Sequence, residues 1–287
     1  MTASCFSRKS LLPFLLFIPL FWSSCGSSAF FYLTDHYSNA YPDTTNCTVE
    51  NVYFRSPDNS LLHGWFIKPR KGPVLGTILH FHGNYGNIGF YAPGLAPLVE
   101  AGFQGLVWDY EQFGSSEGKA SQEHVLEDGL AALEYIRSRP DVKGTKLILF
   151  GQSLGGHLAV VVAAREQRKL NAMVVEGPFT GHHQILAYHG WRKYLAPPII
   201  TYAIIPSRYN AIDVVNQITI PQLFIHSSED KVCPFFMGQK LYKKSPGPKE
   251  FWEIKGKHCY AALLYKDEFV KHFVKLANEI PVTAINN

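Results

Sequence analysis

The chain has 287 residues, 46% of them apolar and 17% charged, enough to bury one large core and too apolar for a disordered protein. The formal net charge is +4, two of those charges being Arg8 and Lys9, and no basic stripe interleaved with aromatics is present, which excludes nucleic acid as a partner. Five cysteines, including Cys5 and Cys25 near the N-terminus, are too few for a disulfide scaffold.

The chain begins with a basic flank, an apolar run from Leu11 to Trp22 and then small polar residues, the layout of an export signal. The run is short for a membrane span and carries Pro13 and Pro19. Three outcomes stand: lipidation at Cys25 after Ser23-Ser24, cleavage after Ala29, or an uncleaved anchor. All three predict an exported protein, membrane-anchored or periplasmic or secreted, with residues 1–28 as signal or anchor. Residues 29–46 read as a linker, and 47–287 as a single domain.

Within that domain, β-rich runs alternate with helical patterns. Strands are predicted at Val49–Phe54, Leu61–Ile67, Thr77–His82, Gly105–Asp109, Lys146–Phe150, Ala172–Glu176, Gln222–His226 and Lys249–Ile254. Helices are predicted at Tyr91–Ala101, Ser121–Ser138, Leu154–Arg165, Met237–Lys244 and Tyr260–Ala277. Near-continuous apolar runs such as "TILHFH", "KLILF" and "AMVVE" suit a parallel sheet covered on both faces, with the first two strands as an antiparallel hairpin. Residues 177–219 separate two strands by far more than an ordinary loop and predict a lid over the strand ends. A pair of plain packing helices is the other reading.

The chemistry centres on Gly151-Gln152-Ser153-Leu154-Gly155-Gly156, between the strand "KLILF" and a helical run. A serine hydroxyl attacks only if a base takes its proton, and a strand-to-helix elbow is one way to present it. The elbow also aims the Leu154 N–H at charge developing on a substrate oxygen. The acid and the base follow in order: Asp230 in the loop after "QLFIH", 77 residues on, and His258 another 28 on, before the last helix. Glu229 is the other candidate acid. His258 accepts the serine proton in this reading, and Asp230 orients its imidazole. A second oxyanion donor is assigned to the Asn84 N–H, in "HFHGNYGN", with Tyr85 beside the substrate pocket.

Competing motifs fail on spacing. Gly83, Gly86 and Gly89 miss the dinucleotide fingerprint, and "GSSEGKA" misses a P-loop. His182, His183 and His189 have no Cys or carboxylate at ligand spacing and read as exposed lid residues. No metal and no cofactor are expected.

These motifs resemble the α/β-hydrolase superfamily over about Val49 to Ala277, and are similar to its membrane-associated branch that includes protein depalmitoylases and bacterial relatives. The shared residues are the "FHGNYGN" loop, the turn from Asp109 to Gly118, the elbow around Ser153 and the stretch from Asp230 to Pro234. The resemblance implies the α/β-hydrolase fold, a mostly parallel eight-stranded sheet flanked by helices. It leaves Asp109 a structural turn residue. Glu111-Gln112 and His157 depart from the family pattern.

The expected function is hydrolysis of esters or thioesters, with acyl or lipid-like substrates, through an acyl-Ser153 intermediate. A peptidase-like hydrolase and a non-catalytic binding protein are the alternatives. A monomer is expected, associated with membrane through its N-terminus. Cys233 and Cys259 ride on the acid and base loops, as two independent thiols or as a disulfide bracing the pair.

Overall fold

The computed structural model describes residues 32–34, 45–194 and 208–279. The predicted export segment, residues 195–207 of the predicted lid at 177–219, and Cys25 with its predicted lipidation lie outside the described residues. Among the described residues, no helix is long and apolar enough to cross a membrane.

In chain order the strands are β1 (Leu33–Thr34), β2 (Cys47–Arg55), β3 (Leu61–Pro69), β4 (Gly76–Phe81), β5 (Tyr85–Gly86), β6 (Phe103–Trp108), β7 (Leu147–Gln152), β8 (Ala172–Glu176), β9 (Gln222–Ser227) and β10 (Lys249–Ile254). The helices are α1 (Ile88–Glu100), α2 (His124–Ser138), α3 (Leu154–Glu166), α4 (His182–Tyr194), α5 (Ala211–Val214), α6 (Phe235–Lys244), α7 (Ala261–Leu264) and α8 (Lys266–Glu279).

Eight strands form one sheet in the order β10-β9-β8-β7-β4-β6-β3-β2. The β2–β3 and β3–β6 pairs are antiparallel and the other five are parallel, the α/β-hydrolase arrangement expected from the sequence. All six residues of β4, β6, β7 and β9 are buried, which explains their unbroken apolar character: helices cover both faces and leave no solvent side to alternate with. Phe150 illustrates the packing. Its ring stacks on His80 at 4.8 Å and meets Phe269 and Phe273 of α8 edge-on at 5.9 and 5.4 Å. Emptying such a position costs about 3–5 kcal/mol.

The predicted strands all form, with shifted ends, and two helical departures have local causes. The first helix starts at Ile88 rather than Tyr91, because the Asn87 side chain accepts the Gly89 N–H at 2.9 Å and caps the turn before the apolar pattern begins. The last helix is two pieces, since Tyr265 leaves helical geometry with φ −133° between α7 and α8. The described residues of the stretch 177–219 include the helices α4 and α5, outside the sheet. Within the predicted linker, Tyr32 is buried with its ring edge-on to Phe113 at 6.5 Å, and β1 pairs in parallel with β5. The lead-in is therefore attached to the body beside the Asn84 loop.

Candidate active site

Every predicted site residue in the described part of the chain sits at the carboxyl ends of the parallel strands. Ser153 occupies the one-residue junction between β7 and α3, with φ 55° and ψ −112°. A side chain in that region is strained and persists only where the surroundings impose it. Here the Ser153 N–H donates to the Glu176 carbonyl at 2.9 Å and the His157 N–H donates to the Ser153 carbonyl at 3.0 Å, which lock the turn from both sides. The flanking glycines are steric requirements. A Cβ on Gly155 would collide with the Phe81 carbonyl, and one on Gly151 with the Gly155 carbonyl.

Asp230 and His258 are brought together across their 28-residue separation: His258 Nδ1 lies 2.6 Å from Asp230 Oδ2. Asp230 Oδ1 accepts the Val232 and Cys233 N–H groups, each at 2.8 Å. The carboxylate is thus buried but satisfied, and an imidazole carrying its hydrogen on Nδ1 would donate to it. His226, kept uncharged by burial, braces the same loop through Nε2 to the Cys233 carbonyl at 2.9 Å. Glu229 is not in this pairing. Its Oε2 accepts the Gly256 N–H at 3.0 Å, which holds the His258 loop from outside.

The Ser153 hydroxyl and His258 Nε2 each contact a cysteine instead of each other. Ser153 Oγ is 3.9 Å from Cys233 Sγ, and His258 Nε2 is 3.5 Å from Cys259 Sγ. Ligand-free catalytic hydrogen bonds are often open in this way and tighten only around substrate. Both cysteines are free thiols, so the bracing disulfide is not formed. Burial pushes both thiols far up, with nearby carboxylates adding to it, which removes them as thiolate nucleophiles at neutral pH.

The loop assigned to the oxyanion hole runs directly beside the serine. A Cβ on Gly83 would stand 3.4 Å from Ser153 Cβ and 2.5 Å from the Tyr91 hydroxyl, so only glycine lets this backbone approach. The loop is held from below: Tyr110 Oη donates to the His82 carbonyl at 2.9 Å. Asp109 acts as the expected turn residue, its Oδ1 accepting the Ile88 N–H at 2.9 Å. Leu154 is the first residue of α3, directly after the serine.

A family model described as serine aminopeptidase, S33, matches residues 72–207. The protein YfhR of Salmonella typhimurium is 31% identical over 262 residues, which covers 83% of this chain and 87% of that protein. This chain belongs to the α/β-hydrolase family. It is also similar to the Arabidopsis thaliana alpha/beta hydrolase domain-containing protein WAV2, 29% identical over 72% of this chain and 71% of that one. Among solved structures, the Pyrococcus furiosus esterase Pf2001 matches with a TM-score of 0.71 at 19% identity, covering 86% of this chain and 99% of that chain. Acetyl xylan esterase 1 from Thermoanaerobacterium matches at 0.63 and 17% identity, over 83% and 86% of the two chains. At those identities the likeness is one of fold.

In this α/β-hydrolase a buried polar chain supports the site, and sequence reasoning missed it. Glu176, at the end of β8, accepts the Ala261 N–H at 2.8 Å through Oε1 and Gln152 Nε2 at 2.7 Å through Oε2. Gln152 Oε1 in turn pairs with His80 Nε2 at 3.0 Å. Burial pushes the Glu176 carboxyl up and the His80 imidazole down to about 3, so His80 is a neutral donor to the amide. The chain ties the elbow to the segment after His258. The residues are scattered over three strands, and nothing in their spacing announces a network.

His157, the departure on the nucleophile helix, is also structural. It stacks on Phe179 at 4.3 Å, and its Nδ1 lies 3.1 Å from the Phe179 carbonyl. His182 is buried against it, at 4.8 Å between rings, and is not the exposed lid residue expected from sequence. His189 instead reaches the acid loop, with Nε2 2.8 Å from the Val232 carbonyl. Tyr85, assigned to the pocket, is 63% exposed and packs edge-on to Phe90 at 5.6 Å.

Proposed function

We propose that this hydrolase cleaves ester or thioester bonds of acyl or lipid-like substrates through an acyl-Ser153 intermediate. The observation that carries the reading is the 2.6 Å His258 Nδ1–Asp230 Oδ2 pair beside a serine held at positive φ on a strand–helix elbow. His258 Nε2 takes the Ser153 proton as Oγ attacks the carbonyl carbon. The Leu154 and Asn84 N–H groups then receive the oxyanion. His258 returns the proton to the leaving alcohol or thiol, and water attacks the acyl-enzyme by the same path in reverse.

Exposed apolar side chains favour an acyl substrate: Tyr85 and Phe90 on the oxyanion loop and α1, Trp191 on α4, and Val232 and Phe236 on the acid side. Val232 and Phe236 are joined to α4 through His189 and through the Tyr188 ring, 6.1 Å from Phe236. The esterases among the structural neighbours support the ester reading, and the N-terminal apolar run supports work at a membrane outside the cytoplasm. The aminopeptidase description of the matching family model favours a second reading, peptide hydrolysis. Kinetics on p-nitrophenyl and thioesters of graded chain length, beside aminoacyl amides, separate the two. The account requires ester turnover that rises with chain length and disappears in Ser153→Ala; turnover of amides alone would establish the peptidase instead.

A further inference from the structure

Away from the serine, three residues from distant parts of the chain meet at one point. Asp58 lies in the turn between β2 and β3, Glu111 in the loop after β6, and His124 is the first residue of α2. Their ligand atoms all lie within 4.8 Å of one another, and His124 Nδ1 is 2.9 Å from Glu111 Oε2. None of these positions is near another in sequence, so no ligand spacing was legible there.

The state of Glu111 is what calls for a ligand. Its side chain is 1% exposed. Oε2 accepts the Lys119 N–H at 2.8 Å and faces His124, while Oε1 is buried with no hydrogen-bond partner among the described residues. No Lys or Arg among the described residues pairs with Glu111 or with Asp58, and a second buried carboxylate, Asp128, accepts the Glu111 N–H at 2.9 Å. A buried carboxylate oxygen left unpaired is expensive, and the group that faces Glu111 across the cluster is the His124 imidazole. Gly118 is part of the construction: a Cβ there would fall on the Glu111 carboxylate, so glycine keeps the space open.

We propose that Asp58, Glu111 and His124 form a binding site for a divalent first-row transition cation, of which Zn²⁺ is the representative. One imidazole nitrogen with two carboxylates suits such an ion better than Mg²⁺ or Ca²⁺, which prefer oxygen throughout. The cation replaces the proton that His124 Nδ1 shares with Glu111, so binding releases one proton and weakens in acid. Asp58 closes the site from the solvent side, and water completes the coordination. The role is structural. The ion joins the hairpin turn and the start of α2 to the loop that carries Tyr110, which supports the His82 carbonyl from below.

The test is calorimetric titration of the chelator-treated full chain with Zn²⁺, paired with the visible absorption of its Co²⁺ form. Wild type should bind one Zn²⁺ that Asp58→Asn and His124→Gln each weaken at least tenfold, with loss of the Co²⁺ bands in His124→Gln. Both substitutions fall at partly or fully exposed positions, and circular dichroism verifies that each variant folds. Absence of binding to wild type would overturn the proposal. So would unchanged binding in both variants, binding abolished by Cys259→Ala, or a preference for Ca²⁺ over Zn²⁺.

Discussion

Cys259 Sγ lies 3.5 Å from His258 Nε2, the ring nitrogen opposite the one paired with Asp230. Cys259 itself holds a positive φ of 56°, and its thiol also faces the Glu176 carbonyl at 3.5 Å. The thiol therefore sits against the ring nitrogen that the proposed mechanism uses as the base. Cys259→Ala should leave hydrolysis intact within a fewfold and labelling by a fluorophosphonate at least as fast as in wild type. Loss of both in folded protein would make the thiol a participant and contradict this arrangement.

The acid assignment is equally direct. Asp230→Asn keeps the size but supplies a donor where His258 Nδ1–H needs an acceptor, which favours the wrong tautomer. Turnover should fall on the order of 10³-fold or more. Glu229→Gln, which touches only the Gly256 N–H, should change it less than about tenfold. Steady-state kinetics on one ester substrate compares the two variants. Equal losses would return the acid to an open question.

The elbow predicts a stability effect. Gly155→Ala drives a methyl group into the Phe81 carbonyl, backbone that β4 holds in the middle of the sheet. The cost should be about 3 kcal/mol or more in urea unfolding. Gly94→Ala, where nothing lies within 4 Å of the added Cβ, is the matched control and should change stability little or raise it. Similar effects at the two sites would show that the tight contact under the elbow is absent.

Buried His157 sets a pH response. Burial lowers its value from 6.5 to about 4, so the folded chain holds it neutral where the unfolded chain takes up a proton. Its contribution is complete above pH 6.5 and is lost as the pH falls toward 4, amounting to about 3 kcal/mol over that window. His157→Gln can keep a donor toward the Phe179 carbonyl without a titrating group. The variant should lose correspondingly less stability between pH 7 and pH 4, read from urea midpoints at fixed slope. An identical loss in wild type and variant would exclude His157 as a source of acid sensitivity.

The fold was legible because its strongest signals are local. "KLILF" and "AMVVE" have no polar face to show, since helices cover both sides of β7 and β8, and Gly151 answers to the Gly155 carbonyl four residues on. Asp230 and His258 could be placed because each lies in a polar loop between an identifiable strand and helix. What stayed hidden depends on contacts between distant segments. Glu176 reads as the end of an apolar strand until Gln152 and Ala261 are seen to satisfy it. His182 reads as one of several lid histidines until His157 and Phe179 enclose it. Asp58, Glu111 and His124 share no sequence neighbourhood at all.

The central claim is that Ser153 is a nucleophile activated by His258. It is tested most directly by covalent labelling of the full chain with a fluorophosphonate probe, with the modified residue located by mass spectrometry. The account predicts one label, on Ser153, absent in Ser153→Ala and strongly slowed in His258→Gln. Folded wild-type protein that takes no label, or carries it on another residue, would contradict it.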